Sequence, residues 1–134
     1  MGDARRRDPE RGPRIVRILW IAGFGIGTTT HVLDIVIGGA DVYAGFPLAL
    51  RAFWLSLTVL DPLVIALLAR RRRTGVALGT AVIVADIAVN WTVFATIGGL
   101  SVWGVVDQTL FAILVLTTAP TLLRWWRRPE AAAR

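Results

Sequence analysis

Cysteine is missing from this 134-residue chain, which excludes disulfides, thiolate metal ligation and thiol redox chemistry. Lysine is missing too, since all fifteen basic residues are Arg, and with it goes any side-chain Schiff base. Histidine occurs once, as His31. A zinc site needs three or four N or S donors, and bis-His haem ligation needs a second subunit, so no metal and no cofactor is expected. Loops long enough to fold as a separate soluble domain are also absent.

What the chain has instead is apolar sequence, with 55% hydrophobic residues. It falls into four runs, 15–37, 47–69, 75–97 and 102–123, each about the twenty residues that cross a hydrocarbon core of ~30 Å. The first run is too long for the apolar part of a signal peptide, and no small-x-small cleavage site closes it, so an uncleaved span is expected. The connections are short: Gly38-Gly39-Ala40-Asp41, Arg70–Arg73 and Gly98-Gly99-Leu100-Ser101. Short connections make consecutive helices antiparallel neighbours. The expected fold is therefore an all-α integral membrane four-helix bundle over 15–123, flanked by basic tails over 1–14 and 124–134.

The net charge of +6 does not point to nucleic acid. Fourteen arginines lie in three blocks, Arg5–Arg17, Arg70–Arg73 and Arg124–Arg134, separated by apolar runs. That is the positive-inside pattern of a membrane protein, and it predicts both termini on the cytoplasmic side. Arg in place of Lys, with abundant Ala, Val and Gly, has the look of a GC-rich bacterial genome, hence a bacterial cytoplasmic membrane. Trp20, Tyr43, Trp103, Trp125 and Trp126 fall near span ends, where amphipathic rings favour the interface.

Each span carries one carboxylate: Asp34, Asp61, Asp86 and Asp107. An acid facing lipid at a helix centre costs ~2.5–3.5 kcal/mol, so all four are expected to point into the bundle or a wet cavity. At 100° per residue Gly23, Gly27, His31 and Asp34 share one stripe of the first helix, and Gly75, Gly79, Asp86 and Asn90 share one on the third. Small residues at this spacing let helix backbones approach. Two criteria thus select the same inward faces. On the second helix Arg51, Trp54, Thr58 and Asp61 fall together, and on the fourth Trp103, Asp107, Leu110, Leu114 and Thr121.

From a rise of ~1.5 Å per residue, Asp86 sits near the midplane and Asp61 a little toward the Arg-rich side. His31, Asn90, Asp107 and Gln108 cluster on the other side, with Asp34 and Arg51 slightly beyond. The expected site is a polar cavity open toward the outer leaflet with Asp86 and Asp61 as its floor. Its ligand-binding candidates are His31, Asp34, Arg51, Trp54, Asp61, Asp86, Asn90, Trp91, Trp103 and Asp107. Four acids face only Arg51 and His31, so a proton or a bound cation must neutralise the surplus. Pro62 removes the backbone donor for the carbonyl of Thr58 beside Asp61, which reads either as a cation or proton site or as a tolerated kink. His31 and Asp34, three residues apart on one face, have metal-ligand spacing but too few ligands for zinc, and the simpler expectation is a hydrogen bond from His31 to an Asp on another helix. Gly23-Phe24-Gly25-Ile26-Gly27 lacks the strand and Lys of a phosphate loop.

The halves echo one another, with Ile37-Gly38-Gly39 and Ile97-Gly98-Gly99 each followed at the same offset by an aromatic, Tyr43 or Trp103. The echo reads as a duplicated hairpin or, more simply, as glycines ending helices.

Asp61-Pro62, Asp86, Asn90 and Trp91 give the chain an architecture that resembles the emopamil-binding/sterol-isomerase (EXPERA-like) group, four helices around an intramembrane pocket of acidic, His, Asn and Trp residues. The resemblance implies acid–base chemistry on a lipid; it carries over no catalytic role, and His31, Asp34 and Asp86 are the candidates. In size and topology the chain is also similar to four-span bacterial multidrug carriers, whose first-helix Glu is replaced by His31 and Asp34. Three functions are expected to compete: binding or proton-coupled transport of a small lipophilic or cationic ligand, a subunit role in a larger membrane complex or homo-oligomer, and membrane-embedded catalysis.

Overall fold

The computed structural model describes residues 9–127. The basic tails predicted over 1–14 and 124–134 lie largely outside the described residues, Arg5–Arg7, Arg128 and Arg134 among them. Four helices follow one another: α1 (Arg11–Gly38), α2 (Leu48–Ala69), α3 (Arg73–Thr96) and α4 (Val102–Trp125), with a 3₁₀ turn at Gly39–Asp41. Each is long and apolar enough to cross a membrane. The helix ends lie within two residues of the ends of the apolar runs, except that α1 begins four residues before its run.

The ends are set by local chemistry. Pro13 occupies the first turn of α1, where its missing N–H leaves no helical bond unmade. Gly39 at φ 59° closes that helix, its N–H reaching the carbonyl of Ile35. Gly98 and Gly99, at φ 80° and 82°, turn the chain between α3 and α4 through conformations that favour glycine. The two loops thus use their glycines differently, because Gly38 is still helical. α2 runs unbroken through Pro62, and α4 through Pro120. Threonines in the apolar helices satisfy themselves: the hydroxyls of Thr29, Thr30, Thr92 and Thr96 each donate to a carbonyl one turn back.

Contacts pair early residues of one helix with late residues of its neighbour. Val64 and Leu67 on α2 meet Gly79 and Gly75 on α3, while Trp54 meets Asn90. Trp20 on α1 meets Thr118 on α4, and Gly23 meets Phe111. Neighbours therefore run in opposite senses, in the cyclic order α1, α2, α3, α4. The seam between α1 and α4 is the least extensive of the four. A core of Trp20, Phe24, Leu57, Val64, Leu68, Val76, Val115 and Leu122 fills the half of the bundle at the arginine-rich end. Outward faces are apolar, with Ile26, Val36, Ile37, Val59 and Leu110 all well exposed.

The aromatic belt expected at the span ends is mostly turned inward. Trp20 is completely buried and donates its indole N–H to Thr118 Oγ1 at 2.9 Å. Trp125 is buried, with its N–H on Glu10 Oε1 at 3.2 Å. Tyr43 packs on Trp54. Of the five, Trp103 alone projects outward, at 79% exposure. An indole or phenol near a span end goes inside when a partner there takes its polar hydrogen.

Candidate functional site

Asp86 lies on the buried stripe of α3 with Gly75, Gly79 and Asn90. Asn90, one turn further along, donates to Asp86 Oδ1 at 3.0 Å and to Gln108 Oε1 at 2.7 Å. Gln108 on α4 closes the triangle by donating to Asp86 Oδ2 at 2.7 Å. From α2, the Trp54 indole N–H donates to Asn90 Oδ1 at 2.8 Å. Three hydrogen bonds tie three helices together, a fourth runs within α3, and both oxygens of Asp86 are held by amide donors.

Asp61 contrasts with it. It is as buried as Asp86, yet among the described residues no side chain donates a hydrogen bond to it. Its Oδ2 stands 2.8 Å from where a Cβ on Gly27 would lie, so Gly27 makes the room this carboxyl occupies. Asp61 and Asp86 line a cavity of about 280 Å³ with His31, Phe24 and Phe111. The cavity opens at the α1–α4 seam, where Gly23, Gly27 and Gly104 form much of the wall and Asp107 lies at its exposed edge.

A second cavity of about 360 Å³ lies toward the glycine-loop end, lined by Asp34, Tyr43, Phe46, Trp54 and Asn90. Here the Tyr43 hydroxyl donates to Asp34 Oδ2 at 2.9 Å. Tyr43 and Phe46 lie against the Trp54 ring, at 5.1 and 4.9 Å between centroids. Burial holds the Tyr43 hydroxyl well above its usual ionisation range, and the bond to Asp34 adds to the effect. Thr30, His31, Gly104 and Gln108 line both cavities. His31 Nδ1 is shut off from solvent and has no hydrogen-bond partner among the described residues.

The structure brings together most of the sequence candidates. His31, Asp34, Trp54, Asp61, Asp86, Asn90 and Asp107 each line at least one cavity. Three do not. Trp103 points outward; Trp91 is largely exposed and donates to Thr109 Oγ1 at 3.0 Å on the outer surface; Arg51 is half-buried and lines neither cavity. The inward face of α4 also differs from the expected stripe. Val105, Gln108, Ala112, Val115 and Leu122 face the bundle, leaving Asp107, Leu110 and Thr121 exposed. A primary amide both donates and accepts, so Gln108 can serve Asp86 and Asn90 together, which the neighbouring carboxylate at Asp107 cannot. Nor does His31 make the expected interhelical hydrogen bond to an Asp among the described residues, and the partner of Asp34 is Tyr43.

Tyr43 and Gln108 were absent from the sequence candidates. The chain has one His, one Tyr, one Asn and one Gln, and all four stand around these two cavities. That restriction is the signal that would have found them. No group of three or more His, Cys, Asp or Glu among the described residues is placed to hold a metal ion. The chain matches no family model, and the comparisons with curated proteins and with solved structures return no match either.

Proposed function

We propose that this chain is a multi-pass protein of the bacterial cytoplasmic membrane, both termini cytoplasmic, that binds and carries a small lipophilic cation. The observation that supports this most directly is the composition of the seam cavity: three carboxylates, Asp61, Asp86 and Asp107, line it and no Arg does. Asp61 is the ligand's counter-ion. It is buried and makes no hydrogen bond among the described residues, whereas Asp86 is committed to Asn90 and Gln108. Phe24 and Phe111 give the apolar body of the ligand aromatic faces. A volume of about 280 Å³ lies just under the range typical of drug-sized sites, which favours a small amine or quaternary ammonium. A proton replaces the ligand on Asp61 when the site is empty, so exchange with protons follows from the same carboxyl.

Benzyltrimethylammonium, a cation with one aromatic ring, tests the reading by equilibrium dialysis against the purified protein in detergent. Removing both charges in Asp61→Asn/Asp86→Asn is expected to weaken binding at least about tenfold, or ~1.4 kcal/mol. Equal binding by wild type and the double variant sinks the proposal.

A second reading has one specific support. His31 lines the same seam cavity as Asp86, its Nδ1 has no hydrogen-bond partner among the described residues, and a His and an acid around one cavity suit proton transfer on a lipid. Conversion of a lipid-extract component that His31→Ala abolishes would favour this enzyme over the carrier.

A further inference from the structure

The two cavities adjoin. Thr30, His31, Gly104 and Gln108 line both, so the seam cavity and the loop-end cavity meet at a neck between α1 and α4. Along α1 their lining runs from Gly23 to Asp34, roughly 16 Å at 1.5 Å per residue. That is about half of a ~30 Å hydrocarbon core. Gln108 is a fixed part of the neck, because it bonds both Asn90 and Asp86. Gly104, one turn away on α4, leaves room there, since a Cβ on it would meet nothing within 4 Å.

Three directions lead away from this space, and one is closed. Toward the arginine-rich end Trp20, Val64, Leu68, Val76, Val115 and Leu122 fill the bundle, each at most 1% exposed. Toward the glycine loops the second cavity reaches Gly99 and Ser101, both exposed, and a loop between two spans lies at the membrane surface. Sideways, the first cavity ends on exposed Ile26 and Thr30 of α1 and exposed Gly104 and Asp107 of α4. In helices that cross a membrane, that side mouth faces acyl chains. Asp107 is the one exposed ionisable side chain within the four apolar runs, among the described residues. An acid turned to lipid is costly; at the mouth it has the cavity beside it and a cation to meet.

We propose that the two cavities form one route, along which a membrane-dissolved cation passes between the lipid beside the α1–α4 seam and the glycine-loop end. This rests on the cation reading of the seam cavity and narrows the ligand class to amphiphilic amines. The charged head lies in the cavity while an alkyl chain trails through the mouth into lipid. Asp107 meets the head at the mouth, Asp61 holds it, and the neck at Gly104 leads on to the cavity lined by Asp34. The arginine-rich side takes no part.

Because the chain has no cysteine, single thiols can be followed in nanodiscs with a charged, water-soluble methanethiosulfonate. Gly104→Cys in the neck is expected to react within about tenfold of the rate of Ser101→Cys at the loop-end rim. Leu110→Cys, on the outward face of the same helix, should react at least about a hundredfold more slowly than Ser101→Cys. Thr30→Cys, across the neck on α1, gives the same reading should Gly104→Cys fold poorly. Benzyltrimethylammonium and benzyldimethyldecylammonium, which share a head but differ in chain length, should each slow the Gly104→Cys reaction about tenfold. Adding Asp61→Asn/Asp86→Asn should remove that protection. A neck thiol as slow as Leu110→Cys would overturn the route while leaving the cation reading to its own dialysis test. Protection by the short cation alone would close the side mouth and overturn lateral passage, with the cation reading intact. Protection by neither would sink the cation reading, and the route with it.

Discussion

Glycines line both the α2–α3 seam and the α1–α4 seam, but what stands opposite them differs. On α3, a Cβ at Gly75 would lie 2.8 Å from Leu67 Cβ and 3.0 Å from the backbone of Leu67 and Leu68. A Cβ at Gly79 would lie 3.0 Å from Val64 and 3.2 Å from Phe24. On α4, a Cβ at Gly104 would meet nothing within 4 Å. On α1, a Cβ at Gly23 would overlap the ring of Phe111, which stands in the cavity wall. Gly75 lets two backbones approach and Gly79 lets side chains of α1 and α2 pack on α3; across the other seam Gly23 makes room for the Phe111 ring and Gly104 faces open space. Hydrophobic burial does little to drive helix association in lipid, where close packing and interhelical hydrogen bonds must do it. The α2–α3 seam is closed at Gly75 by the backbone of α2, while the α1–α4 seam, the least extensive of the four, holds the first cavity.

The largest test of that contrast is Gly75→Val. Backbone atoms of α2 cannot swing aside as a side chain does, so the cost should reach the upper part of the ~1–3 kcal/mol range for overpacking. Unfolding in mixed SDS micelles measures it, and a loss below about 0.5 kcal/mol would show that the seam is not tight.

Asn90→Ala comes next. It deletes three interhelical or same-helix bonds, to Trp54, Asp86 and Gln108. At ~0.6 kcal/mol for an average hydrogen bond between membrane helices, the loss should be about 2 kcal/mol. Asp61→Asn in the same measurement should change stability little, because that carboxyl has no donor among the described residues to lose, and yet it should weaken cation binding. A large stability loss in Asp61→Asn would make the acid structural and erase its difference from Asp86.

Gly104→Ala is expected to have the opposite sign. The added methyl meets open space, and Ala is favoured over Gly within a helix by ~1 kcal/mol. A modest stabilisation with unchanged lipid-extract solubility would confirm that the α1–α4 seam is not packed to its limit. A loss comparable to that of Gly75→Val would abolish the distinction between the seams.

How far this contrast could be read beforehand depended on how many signals agreed. The four helices were legible because apolar runs, Arg blocks and glycine loops all mark the same boundaries. The α3 face was legible because Gly75, Gly79, Asp86 and Asn90 fall on one stripe by two independent criteria. α4 carries its polar pair at adjacent positions, Asp107 and Gln108, about 100° apart around the helix. The cost of an acid in lipid argued for turning Asp107 inward. What decides instead is hydrogen bonding, since Asp86 and Asn90 need a group that gives and accepts. That demand is visible only once α3 and α4 are side by side. The aromatics failed in the same way: position along the chain places Trp20 and Trp125 near an interface, but Thr118 and Glu10, distant in sequence, draw them in.

The smallest effect concerns Tyr43 at the end of the second cavity. Being the chain's single tyrosine, it can be titrated alone by tyrosinate absorbance. Burial, then the hydrogen bond to Asp34, hold its hydroxyl above the ordinary value of 10. The sign follows from linkage: the unfolded chain releases this proton first as pH rises, so the contribution to stability is full below pH 10 and falls only above it. No tyrosinate is therefore expected at pH 10 in the folded protein, while Asp34→Asn, which removes the neighbouring negative charge but not the burial, should bring the transition partway back. A transition at the ordinary value in both proteins would mean that Tyr43 is solvated. The second cavity would then be an open groove rather than an enclosed extension of the site around His31.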